Sequence, residues 1–82
     1  DHIFDYIELN ADHAIVEVAV PDAWAGQTVG ALDVRRKFGL NVLAVKRQGK
    51  LNANVTSDTM LLHDETVLVL GSNQAIQRCF HL

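Results

Sequence analysis

A chain of 82 residues has room for one small core and excludes a two-domain architecture; at this size folding buries only about 60% of the unfolded surface, so such cores often lean on a metal, disulfides or a partner subunit. An apolar content of 49%, one proline and five glycines exclude disordered, low-complexity and collagen-like sequence. The single cysteine, Cys79, excludes an intramolecular disulfide and a Cys-rich zinc site and points to a reducing, intracellular setting, while a net charge of −3 argues against a general nucleic-acid surface.

The chain opens with Asp1-His2-Ile3-Phe4-Asp5, which has neither the basic start nor the apolar run of a signal peptide, and no initiator methionine. It therefore reads as a piece of something longer. Tyr6–Leu9 is short and extended, Asn10-Ala11-Asp12 supplies a turn, and Ala14–Val20 is the clearest strand, rich in β-branched residues and ended by Pro21-Asp22. An antiparallel hairpin follows from that order. After the loop carrying Trp24, Thr28 is placed to cap a helix with Val29 and Leu32 on one face. The apolar positions then change face to Val34 and Phe38, so two short helical turns with a bend are expected, with Asp33 as N-cap of the second and Gly39 as its left-handed stop.

Asn41–Arg47 fits a mostly buried strand, Gln48-Gly49 a turn, and Leu51–Val55 a weaker strand paired with it. Thr56–Thr59 is polar loop. Thr66–Gly71 is a central strand by its unbroken hydrophobicity, and Ser72 or Asn73 caps a last helix with Ile76 and Phe80 four apart. The order β-β-α-β-β-β-α defines an α+β domain, a small mixed sheet with two or three short helices. No apolar run approaches the ~20 residues that cross a bilayer.

The sequence offers little for bond-making chemistry. His2, His13, His63 and His81 fall on different loops and termini, Cys79 reads as a buried inert thiol, Asp64-Glu65 as a solvated turn and Trp24 as a core plug. No nucleophile–base pair or metal set emerges, and the glycines match no phosphate-binding loop. Five of the seven cations fall between Arg35 and Arg47. That clustering suits either a small anion or a solvated helix end. Around it, Val29–Val42 combines aliphatic side chains, arginines and Asn41 at a helix-to-strand junction, a mixture able to hold a phosphate and a flat ring.

The run Gly26-Gln-Thr-Val-Gly-Ala-Leu-Asp-Val-Arg35, continued by Lys37–Arg47 and closed by Thr66–Gly71, resembles the carboxy-terminal RCK (TrkA-C type) domain, and Asp5–Asn10 with Ala14–Glu17 is similar to gating subunits of Ktr-type bacterial potassium uptake systems. The resemblance covers nearly all of residues 1–82. It implies a non-enzymatic regulatory domain without a metal, a two-fold homodimer through this domain, an octameric ring in the full-length subunit and a membrane potassium transporter subunit as partner. It also implies an amino-terminal nucleotide-binding RCK domain not contained in this chain, and a cytoplasmic location peripheral to the inner face of the membrane, with neither membrane insertion nor a nucleic acid polymer.

In the family group it resembles, cyclic di-AMP binds at the dimer interface and lowers uptake. By family position, Arg35 falls on the phosphate-reaching arginine and Asn41 on the asparagine near the adenine. Val29 and Gly30 fall on the base pocket, with Val42 and Thr56 beside it, Lys50 on a polar position of the next turn, and Arg36 and Phe38 as neighbours. Many relatives carry a bulky aliphatic residue where Gly30 stands and a proline near Thr56. The alternative is a ligand-free dimerisation module, with regulation left to the nucleotide-binding domain.

Overall fold

The computed structural model describes residues 3–81. Its strands are β1 (Ile3–Glu8), β2 (His13–Ala19), β3 (Asn41–Arg47), β4 (Lys50–Asn52) and β5 (Thr66–Ser72), and its helices α1 (Val29–Leu32), α2 (Val34–Phe38) and α3 (Asn73–Phe80). They form one five-stranded sheet of order β1-β2-β5-β3-β4. Every neighbouring pair is antiparallel, so the mixed sheet expected from the sequence is antiparallel throughout. The expected central strand is central: β5 pairs with β2 on one side and β3 on the other.

Local chemistry fixes the connections. The Asn10 side chain accepts from the amides of Asp12 and His13, closing the β1–β2 turn. Gln48 and Gly49 both hold positive φ, 51° and 79°, between the paired residues Arg47 and Lys50. That geometry matches the right-handed twist of a two-residue hairpin. β4 stops at Asn52, short of the predicted Val55, because the Asn52 side chain accepts from the Asn54 amide and turns the chain away.

Period-2 alternation gives the sheet two unlike faces. On the inner face Val16, Val18, Val67 and Val69 are buried, joined by Leu40, Leu61, Val34 and Ile76 from the loops and helices. Trp24 plugs this core as expected, its ring 5.5 Å from that of Phe80. Gly71 is required there, since a Cβ on it would stand 2.5 Å from Cδ2 of the fully buried Leu40. Among the described residues no helix covers the outer face. The register places Ile7, Ile15, Leu70 and Asn41 in one row across it, with Leu68 and Ala44 in the next. Glu17 also lies there, accepting from the Thr66 hydroxyl at 2.6 Å with Lys46 Nζ 3.9 Å away.

Candidate ligand-binding site

Thr28 caps α1 as expected, its hydroxyl accepting from the Ala31 amide at 3.1 Å. The chain entering this helix lies against the loop before β5: Gly26 donates to Leu61, Leu61 to Gln27, Val29 to Thr59 and Gly30 to Ser57, all at 2.8–2.9 Å. The first amides of α1 are thus already bonded to protein acceptors. They are therefore not free to receive an anion.

Asp33 forms the bend between α1 and α2 in the left-handed conformation (φ 52°), not as a side-chain N-cap. Its carboxylate turns instead to Arg36, accepting from Nε at 2.7 Å, so the expected cap is replaced by an ion pair. Buried Val34 anchors α2, and Gly39 ends it at φ 74°, its amide donating to Arg35. That stop sends the chain through Leu40 into β3 and brings Asn41 back beside Arg35, whose Nε donates to Asn41 Oδ1 at 3.0 Å.

Between α1–α2, the start of β3 and the Val55–Ser57 loop lies a hollow of about 500 Å³, within the range of small-molecule sites. It gathers Val29, Gly30, Arg35, Asn41, Val42 and Thr56 from the sequence-derived set. The remaining three lie apart. Arg36 is held by Asp33, Phe38 packs on the core, and Lys50 borders a second hollow of about 280 Å³ with Leu51 and Met60. The basic cluster is likewise dispersed: Lys46 faces Glu17, and Arg47 Nη2 lies 3.4 Å from Asp64.

Sequence reasoning missed the apolar walls supplied by Val55, Leu70 and Leu43. Leu43 sits where the β3–β5 register shifts between Val42 and Ala44, an irregularity no local pattern announces. It also missed the close approach of Gly30 to the loop, where a Cβ would meet Ser57 Cβ and its carbonyl oxygen at 2.9 Å. The loop fills the room a side chain at position 30 would need, and Val55 provides an aliphatic wall next to Thr56.

Residues 13–82 match the TrkA-C domain. The chain belongs to the TrkA-C domain family. This TrkA-C domain is 31% identical over 78 residues to Ktr system potassium uptake protein C of Bacillus subtilis (strain 168), a match covering 95% of the chain and 35% of that relative. It therefore spans about a third of the relative's length. Among solved structures it is similar to the RCK C domain of the potassium transport protein KtrA in complex with cyclic diadenosine monophosphate, at TM-score 0.76 and 27% identity over 82% of this chain and 79% of that one. The GsuK RCK domain shares the fold at TM-score 0.80 and 21% identity, over 95% of this chain and 17% of that one.

The hollow of this TrkA-C domain combines aliphatic walls with a guanidinium, an amide and hydroxyls, which is equipment for holding an anion next to an apolar ring. Cys79 lies on α3, outside the hollow, and burial pushes its thiol up to about 11. Among the described residues no helix is long and apolar enough to cross a membrane.

Proposed function

We propose that this TrkA-C domain is the regulatory module of a bacterial potassium uptake system. It takes cyclic di-AMP in the Val29–Asn41 hollow across a two-fold dimer, and the ligand lowers transport. The observation that carries this reading is the gathering of Val29, Gly30, Arg35, Asn41, Val42 and Thr56 around one hollow, in a fold similar to a KtrA domain solved with that ligand. A ligand with two phosphates and two adenines fits the axis of an isologous pair, because each copy then presents the same contacts once. Arg35 supplies one cation per phosphate. The nearby Asp33 carboxylate is occupied by Arg36, which moderates its repulsion of the anion.

The outer sheet face supports the dimer. Leu70 lines the hollow and continues through Ile15 to Ile7, which is 47% exposed, so the apolar surface extends beyond the ligand site. In the full-length subunit the pairs assemble into an octameric ring under a membrane potassium transporter subunit, at the cytoplasmic face. Ligand biases the ring through its different affinity for two ring arrangements. The same apolar face favours a second reading, a dimerisation module with no small ligand of its own.

Titration calorimetry of the 82-residue chain with cyclic di-AMP separates the two. Saturable heat with one ligand per two chains is the expected result, and silence at high micromolar ligand, with a dimer still present in sedimentation, selects the second reading. Arg35→Ala is expected to weaken binding by about tenfold or more, since a phosphate loses its charged donor.

A further inference from the structure

Arg35 and Arg36 are adjacent on one short helix, yet they have chemically different partners. Arg36 gives its Nε to the Asp33 carboxylate at 2.7 Å, whereas Arg35 gives its Nε to the Asn41 amide at 3.0 Å. A carboxylate partner offsets the positive charge it orients. A neutral amide orients the guanidinium and leaves its charge intact for an anion.

The direction of the Arg35–Asn41 bond follows from its donors. Guanidinium nitrogens are donors only, so the amide oxygen of Asn41 must face Nε. That bond takes one of the two lone pairs of Asn41 Oδ1, and it leaves Arg35 its two Nη groups for a ligand. The free Nη groups are donors suited to phosphate oxygens. Arg35 is exposed, and an untethered side chain of that length has to lose its rotamer freedom when it binds.

We propose that Asn41 is a positioning residue: it acts on a ligand through Arg35, by fixing the plane of that guanidinium toward the anion. This rests on the reading of the hollow as an anion site. The tether exists before any ligand arrives, because the turn at Gly39 delivers Asn41 to the first position of β3 while Val34 holds α2 on the core.

Two measurements test it. Arginine Nε–H exchange with water, followed by ¹H–¹⁵N correlation on the ligand-free chain, should be slow at Arg35 and severalfold faster in Asn41→Ala. Asn41→Asp keeps an acceptor in place and should restore the protection; unchanged exchange in Asn41→Ala overturns the tether. The second is a double-mutant cycle in cyclic di-AMP affinity. Arg35→Ala combined with Asn41→Ala should bind within about twofold of Arg35→Ala alone, since a positioning residue has nothing left to position. Losses that multiply show that Asn41 meets the ligand by itself, and overturn the proposal. If the unaltered chain takes no ligand, the anion-site reading falls, while the exchange measurement still decides whether Asn41 holds Arg35.

Discussion

Gly30 shows how one residue can be fixed by a contact that its neighbours in sequence do not reveal. Its amide donates to Ser57 and its α-carbon faces the same loop, with a Cβ position 2.9 Å from Ser57 atoms, one of them backbone. Gly30→Ala should therefore destabilise the chain by about 1–3 kcal/mol, the usual range for overpacking, seen as a lower denaturant midpoint; an unchanged midpoint means the loop yields freely. Cys79 gives a pH dependence of known sign. Burial raises its thiol from 9.0 to about 11 in the folded chain, so above the unfolded thiol's pKa the unfolded state binds fewer protons. Stability should fall as pH rises from about 9 to about 11, and Cys79→Ala should flatten this part of the stability profile relative to the parent. Identical pH slopes in the two proteins would contradict it.

At the scale of elements, local chemistry was readable wherever a side chain bonds to backbone a few residues away. Thr28 and Ser72 cap α1 and α3 through hydroxyls, and Asn10 closes its turn, as their sequence positions indicate. The bounds of β3 are legible for a similar reason, an apolar run between a glycine stop and a turn. Asp33 departs because it takes the left-handed conformation, outside the extended region an N-cap uses, and its carboxylate pairs with Arg36 three residues along. The Gln48-Gly49 turn holds a non-glycine residue at φ 51°, a conformation that Asn tolerates better than Gln. Gln48→Asn should accordingly stabilise the β3–β4 hairpin by a few tenths of a kcal/mol to about 1. A thermal melt checks the sign, and a lower midpoint counts against the turn geometry.

For the whole molecule, the sheet has one face under helices and loops and the other bare. The unbroken apolar sequence of β5 suits burial on both sides, yet within one chain only Val67, Val69 and Gly71 are buried, while Leu68 and Leu70 on the outer face are half-buried. A small core of this size has little apolar area to spare, and in the proposed dimer two copies paired over the hollow and this face would bury more. Leu43 stands beside the hollow at 38% exposure. If the proposed dimer forms over this face, Leu43→Glu places a charge against the second copy, which is costly without a partner. Sedimentation should show a shift from dimer to monomer with the circular dichroism retained; a dimer of undiminished strength would place the interface elsewhere.

The division between sequence and structure follows the range of the forces. The existence and order of the strands and helices, the Thr28 and Ser72 caps and the Asn10 and Gln48-Gly49 turns arise from period and from hydrogen bonds between near neighbours, so the amino-acid order by itself determined them. The sequence also carried the family resemblance and the choice of Arg35 and Asn41. Only the tertiary structure decided that these two meet, that Arg36 and Lys50 stand outside the hollow, and that Val55, Leu70 and Leu43 complete it. Those outcomes depend on a register shift in β3 and on the pairing of Gly26–Gly30 with Ser57–Leu61. Both are contacts between distant segments, set by how the whole core packs and not by spacing along the chain.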